Sequence, residues 1–357
     1  VVSNLVTAGA SVSARDEDGM TPLHHAAISG RLDTARVLLE EGAHISSKDS
    51  RGLTALHHSA RNHQSSFIKM IVSKGLHVDV KDTKQLTALH HAIASNSLEA
   101  VKALLEAGAD VNLEDTEGRR YTEYANMYDS QNILIWLAKK YPNLFINDET
   151  RETVIHYLAS QGRPDVIQIL LKTGHYKVDV RDYDEKTPLH YASINCREDV
   201  FEFLVDYGAD IDARDAVGAT PLHFAVRWGS EAIVRYILRR KGSEAISVLD
   251  SGDRLGRTPL HYAASQKTGL SYISNLLKAG ANMDMRDHSG MSPLHLACRF
   301  GNISLVRLLL DEGADKEARD RQGMSPADHA REKDCLTILG MIEKSSQRRH
   351  CSNRINC

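Results

Sequence analysis

Residues 21–27 read TPLHHAA, from Thr21 to Ala27, and the string returns down the chain in intact and worn copies. Related versions begin at Thr54, Thr87, Thr153, Thr187, Thr220, Thr258, Ser292 and Ser325, and a degraded one, RYTEYAN, at Arg120. An Asp stands ahead of each: Asp16, Asp49, Asp82, Asp115, Asp148, Asp182, Asp215, Asp253, Asp287 and Asp320. The spacings are 33, 33, 33, 33, 34, 33, 38, 34 and 33 residues. A unit of that length cannot cover its own apolar face, so stability must come from stacking against its neighbours.

The first copy shows what one unit builds. Thr21 is placed to cap a short helix, and Pro22 suits the first helical position, where no N–H bond is lost. Leu23, Ala26 and Ala27 give that helix an apolar side, and Gly30 ends it. A second helix follows in RLDTARVLLEEGA, with Leu32, Ala35, Leu38 and Leu39 at helical spacing and Gly42 as its C-terminal stop. A turn then leads to the next Asp and a tight turn at Gly52.

The T-P-L-H-x-A string at this period resembles the ankyrin repeat family. The resemblance covers roughly residues 1–343. It implies an all-α fold, a curved solenoid of stacked helix-turn-helix units with β-like turn fingers. The expected organisation is the second half of a truncated repeat at 1–15, ten repeats over 16–343 and a disordered basic tail over 344–357. Val1, Val2, Leu5 and Val6 match the end of a repeat whose first helix is missing, so more chain is expected ahead of them. At the other end Leu336, Ile338, Leu339 and Ile342 form an apolar stripe flanked by Glu332, Lys333, Asp334, Glu343 and Lys344, as suits a polar terminal cap.

The pattern breaks in two places. In the centre, Tyr121, Thr122 and Glu123 stand where Pro, Leu and His belong, and Tyr141-Pro142-Asn143 replaces the usual Gly-Ala. Gln85, Arg151 and Glu185 replace the turn glycine, which questions the turn geometry there. Such wear reads as drift held by neighbouring layers, or as a hinge. The 38-residue interval places five extra residues within RRKGSEAISVLDSGD, expected as a loop.

Composition excludes several function classes. Lys and Arg total 44 against 47 Asp and Glu in 357 residues, for a net charge of −3. That balance opposes a chain that holds nucleic acid by charge alone. No uninterrupted apolar run is long enough to span a membrane. Five cysteines at irregular spacing suggest free thiols in a reducing compartment, and a cytoplasmic location is expected. No G-x-S-x-G, phosphate-loop or H-E-x-x-H motif occurs, so no enzyme, cofactor or metal is expected.

The 18 histidines need an account. His24, His57, His90, His156, His190, His223, His261 and His295 hold the signature position, where the resemblance implies hydrogen bonds to the signature Thr and to backbone. The next position carries His25, His58, His91, Tyr124, Tyr157, Tyr191, Phe224, Tyr262 and His329, with Leu296 as the exception. This ring stripe reads as packing between layers, or as a contact stripe that responds to pH. Layers about 10 Å apart are too distant for three such rings to share one zinc ion.

Partner binding is the leading functional expectation. The resemblance implies recognition by turn tips and by the exposed end of the first helix, along a concave groove. Mapped here, the candidates are Arg61, Tyr128, Tyr183, Arg227, Trp228, Arg254, Arg299 and Phe300, together with Met20, Met127, Gln266, His288 and Met291. Trp, Tyr and Arg are the residue types that dominate binding energy at interfaces. The expected partner is a protein, through an acidic or extended segment, with the fragment itself monomeric. Arg227, Arg235, Arg239, Arg240 and Lys241 against Glu231 would suit an acidic segment, or simply close a helix. Two alternatives are a small-molecule or catalytic site near Tyr124, Trp136 and Tyr157, and the cytosolic arm of a membrane protein.

Overall fold

A computed structural model describes residues 4, 7–141, 152–242, 245–265 and 271–352. The chain divides into two compact units, Val1–Leu144 and Phe145–Cys357. Among the described residues every regular element is a helix. The expected N-terminal half-repeat (Val1, Val2, Leu5, Val6), the turn at Asp148 and Arg151, and Gln266 lie outside the described residues.

Among its described residues the first unit shows four helix pairs. Their first helices are α1 (Pro22–Ile28), α3 (Ala55–Arg61), α5 (Ala88–Ala94) and α7 (Tyr121–Met127). Their second helices are α2 (Leu32–Glu40), α4 (Ser65–Ser73), α6 (Leu98–Glu106) and α8 (Gln131–Lys140). Each first helix packs on the next first helix, and each second helix on the next second helix. Leu23, Leu56 and Leu89 are buried in the first row, and Phe67, Ile71, Leu104 and Leu137 in the second. Each such side chain contributes about 1.5–3 kcal/mol by leaving water. The degraded fourth repeat still folds: Tyr121 takes the Pro position and is buried, as are Ala125, Ile133 and Leu134.

The second unit repeats the scheme. First helices are α9 (Val154–Gln161), α11 (Pro188–Ile194), α13 (Pro221–Trp228), α16 (Pro259–Ala263), α18 (Pro293–Phe300) and α20 (Pro326–Glu332). Second helices are α10 (Pro164–Leu171), α12 (Glu198–Asp206), α14 (Glu231–Lys241), α17 (Ser271–Lys278), α19 (Ile303–Asp311) and α21 (Leu336–Ser352). The five-residue insertion is not the expected loop. It forms a short helix, α15 (Ala245–Leu249), anchored by buried Val248 and Leu249. The helical backbone of α21 likewise runs to Ser352, through part of the stretch expected to be disordered. Glu343, Lys344, Gln347, Arg348 and Arg349 are good helix formers.

In most repeats the signature residues close the first helix and join it to the next layer. In the first repeat His24 Nδ1 accepts the Thr21 N–H at 2.9 Å, and the Thr21 hydroxyl is also 2.9 Å away. Its Nε2 then donates to the Leu53 carbonyl of the next repeat at 3.1 Å. The same bridge joins His57 to Leu86, His190 to Ala219, His223 to Arg257 and His261 to Met291. In the last repeat Ser325 and Asp328 replace the Thr–His pair, with Asp328 accepting both the Ser325 N–H and hydroxyl.

The turns form fingers linked by backbone. Ser50 N–H donates to the Asp18 carbonyl, Thr83 to Arg51, Thr116 to Lys84, Ala216 to Asp184, Arg254 to Val217, His288 to Leu255 and Arg321 to Ser289. One bond per layer is the β-like character expected of the turns; no described residue is a strand. Cations add a second link: Arg15 reaches the Lys48 carbonyl, Arg181 that of Arg214, and Arg286 that of Arg319.

Two turns lacking glycine keep their shape. Gln85 and Glu185 adopt φ of 61° and 58°, the left-handed conformation held elsewhere by Gly52 at 76°. The preceding Asp imposes it. Asp82 Oδ1 accepts the Lys84 and Leu86 N–H groups at 2.8 and 2.9 Å, which fixes the turn around Gln85.

Candidate binding surface

The ring stripe is tied to the turns. In seven of the turns one Asp oxygen receives backbone N–H groups, and the other receives the ring of the following helix. His25 meets Asp16 at 2.8 Å, His58 meets Asp49 at 2.9 Å and His91 meets Asp82 at 3.0 Å. The hydroxyls of Tyr124, Tyr191 and Tyr262 donate to Asp115, Asp182 and Asp253, and His329 meets Asp320 at 2.8 Å. Most of these rings also pack against the signature His of the preceding layer, edge-on in His24–His58 at 5.4 Å and His223–Tyr262 at 4.9 Å and tilted in His156–Tyr191 at 5.2 Å. The stripe is therefore mainly structural. His25 remains exposed, whereas His58 and His329 are buried.

These contacts set the protonation states. Burial, then the neighbouring His91, pushes His57 down to about 4, so it stays neutral and its Nε2 keeps its proton for the bridge. His90, His190 and His223 also lie at about 4, with burial the largest cause in each. Burial would raise Asp115, but hydrogen bonds from the Arg119 N–H, the Tyr124 hydroxyl and the Arg119 guanidinium hold it well below the usual carboxylate range. Asp215, which faces Phe224 and so has no ring donor, is raised instead, chiefly by burial. At Leu296 the gap is met differently: Arg257 Nε lies 3.6 Å from Asp287. Among the described residues no group of His, Cys, Asp and Glu could hold a metal ion.

All eight candidate contact residues are exposed. Their positions follow from where each repeat ends its first helix or turns its finger. Arg61 and Tyr128 end first helices in the first unit and line one pocket of about 510 Å³. Arg51, Lys84, His90, His91, Ala94 and Tyr124 line it too. Tyr124 and Tyr128 stack at 6.0 Å, and the Arg119 guanidinium lies 5.5 Å from the Tyr124 ring. Trp136 does not share this pocket. It packs against Tyr141 at 6.1 Å and under Lys140 and Lys102 at 5.0 and 5.8 Å.

The other six candidates lie in the second unit. The Arg227 guanidinium sits 5.7 Å from the Trp228 ring, which is 48% exposed, and the Trp228 carbonyl accepts the Cys196 thiol. Phe300, 53% exposed, follows Arg299, whose guanidinium approaches the Met291 sulfur at 4.0 Å. Tyr183 and Arg254 occupy finger tips, as expected, and His288 is exposed. Met291 is not a tip: its side chain is buried and its carbonyl serves His261. The basic cluster on α14 is partly neutralised, since Arg235 pairs with Glu231 at 2.9 Å and Lys241 with Asp212.

Sequence reasoning missed Arg51, Lys84, Val217 and Leu255. All four sit two residues after a turn Asp, a position the ladder of fingers holds outward. That spacing was the available signal. Val217 and Leu255 are apolar and about half exposed, on adjacent fingers.

Comparison with known proteins agrees with this geometry. A family profile described as Ankyrin repeats (3 copies) matches residues 46–115, 77–148, 122–215, 212–287 and 266–347. A second, Ankyrin repeats (many copies), matches residues 5–59. The chain belongs to the ankyrin repeat family. An ankyrin repeat protein of Fowlpox virus is 30% identical over 123 residues, 34% of this chain and 85% of the viral protein. Rabankyrin-5 of Mus musculus is 30% identical over 159 residues, 44% of this chain and 13% of its own length. The B-cell lymphoma 3 protein homolog of Mus musculus is 28% identical over 166 residues, 45% of this chain and 36% of its own. The chain thus spans only part of the longer relatives. Membership indicates a protein–protein interaction module of a generally non-catalytic kind. No described helix is long and apolar enough to cross a membrane.

Proposed function

We propose that the chain is a non-catalytic interaction scaffold that presents finger tips and first-helix ends, along a groove, to an extended or acidic segment of a partner protein. One observation carries this reading. Trp228 and Phe300 occupy the same helix-end position two repeats apart, each follows an arginine, and each leaves about half its ring in water. Exposing two large rings is unfavourable unless something covers them. Val217 and Leu255, on two neighbouring fingers of the same unit, are also apolar and about half exposed. A stacked array is preorganised, so a partner would bind without ordering it first. The test is affinity capture with the chain and with Trp228→Ala and Phe300→Ala variants, followed by titration of each purified partner. A loss of about 2 kcal/mol in affinity for either variant is expected. Unchanged affinity for every captured partner in both variants would remove this surface from the reading.

A further inference from the structure

The pocket of the first unit differs in chemistry from the apolar surface of the second. Arg51 and Lys84 project from adjacent finger tips on one side, and Arg61 ends a first helix on the other. Among the described residues none of the three makes an ion pair. The one acidic side chain in the lining, Asp82, is already engaged: one oxygen takes the His91 ring and the other takes backbone N–H groups. So three cations meet no free carboxylate. Nearby Asp115 is committed to Arg119 and Tyr124. Beside this charge lies the exposed face of Tyr128, stacked on Tyr124.

Unpaired guanidinium and ammonium groups around a walled pocket favour anionic oxygens, most strongly where Arg can bind them bidentately. The dimensions favour a strand of protein. Layers are about 10 Å apart, and an extended chain advances about 3.3 Å per residue. A segment of about six residues therefore passes from the Arg51 and Arg61 repeat to the Tyr128 repeat, with alternate side chains facing the wall. Resting on the reading of the chain as an interaction module, we propose that this pocket recognises a short extended peptide segment in which Asp or Glu side chains meet Arg51, Arg61 and Lys84 and an apolar or aromatic side chain lies on Tyr128.

The test uses the full chain to select from a displayed library of random linear peptides, with fluorescence anisotropy on the synthesised winners. Acidic peptides carrying an apolar or aromatic residue should be enriched. Their affinity should fall at least about tenfold in the Arg61→Gln, Lys84→Gln double variant, and further in Arg61→Glu, Lys84→Glu. It should also weaken as salt rises from about 0.05 M to about 0.5 M. Trp228→Ala should change it less than about twofold. These exposed positions make the variants unlike core changes, and a thermal melt equal to that of the parent chain checks folding. Selected peptides that ignore both double variants but respond to Trp228→Ala would overturn this inference while leaving the interaction reading in place. Enrichment of basic peptides, no enrichment at all, or binding confined to phosphorylated versions of the winners would overturn it as well.

Discussion

His58 Nε2 lies 2.9 Å from Asp49 Oδ2, with both side chains almost wholly buried. The second Asp49 oxygen accepts the Arg51 and Leu53 N–H groups. One carboxylate therefore ties a finger to its own helix, and the ring it holds packs on His24 of the preceding layer. Burial alone would raise Asp49; the His58 bond and the two backbone bonds outweigh it and hold the group low.

Replacing His58 by Phe keeps the packing and removes the donor. The variant should lose about 1–3 kcal/mol at neutral pH, because a buried carboxylate oxygen is left bare. The folded pKa of Asp49 lies below its unfolded value, so this contribution is present above the unfolded value and disappears as pH falls through the folded one. Denaturant midpoints of the two proteins should converge at strongly acidic pH. A constant gap down to that range would show that the loss is packing and not the bond.

The reverse substitution is available in the seventh repeat. Phe224→Tyr would supply Asp215 with the hydroxyl that Asp182 receives from Tyr191 and Asp253 from Tyr262. Asp215 should then titrate lower by NMR, and stability should rise by about 0.5–1.5 kcal/mol. A lower melting temperature would mean that the buried site has no room for one more oxygen.

Acid should weaken the stack through its buried histidines. His57, His90, His190 and His223 titrate at about 4 when folded, below the ordinary 6.5. The unfolded chain therefore binds protons first. Stability is fully present above about 6.5 and falls as pH drops from there toward 4, by an amount on the order of 1 kcal/mol per pH unit for each histidine. Urea midpoints measured from pH 7 to pH 5 should decrease steadily. A flat or rising trend would contradict the neutral state of these buried histidines.

Gln85→Gly should stabilise the chain. A side chain at φ of 61° costs about 1–2 kcal/mol, against an entropic penalty for glycine of roughly 0.5–1 kcal/mol. A net gain of about 0.5–1 kcal/mol in chemical denaturation is expected, and a loss would mean that Gln85 makes compensating contacts.

The helix pairs and the histidine bridges were legible because each depends on residues at fixed offsets within one unit. Thr21, His24 and the Leu53 carbonyl are such a set. The central wear at Tyr121 was legible as drift held by neighbouring layers or as a hinge, but not the means by which the repeat folds, since only packing shows a tyrosine filling a proline's place. The helix around Val248 and Leu249 was missed for a related reason: five residues carry too short a pattern to distinguish it from a loop. The pocket was half legible. Arg61 and Tyr128 follow from helix-end position, but Arg51 and Lys84 come from fingers, where the sequence shows charge without showing which charges find a partner.

The one bond found at every such finger pair runs from N–H to carbonyl, and the arginines that add a second link, Arg15, Arg181 and Arg286, stand one residue before the turn Asp and not at the tip. What stands at a tip is therefore released from holding the tip in place. Ser, Thr, Arg or His can donate the same amide, and Arg, Lys, Val or Leu can offer the same oxygen. Each layer can change its outward chemistry without disturbing the layer beside it, so new specificity is reachable one finger at a time.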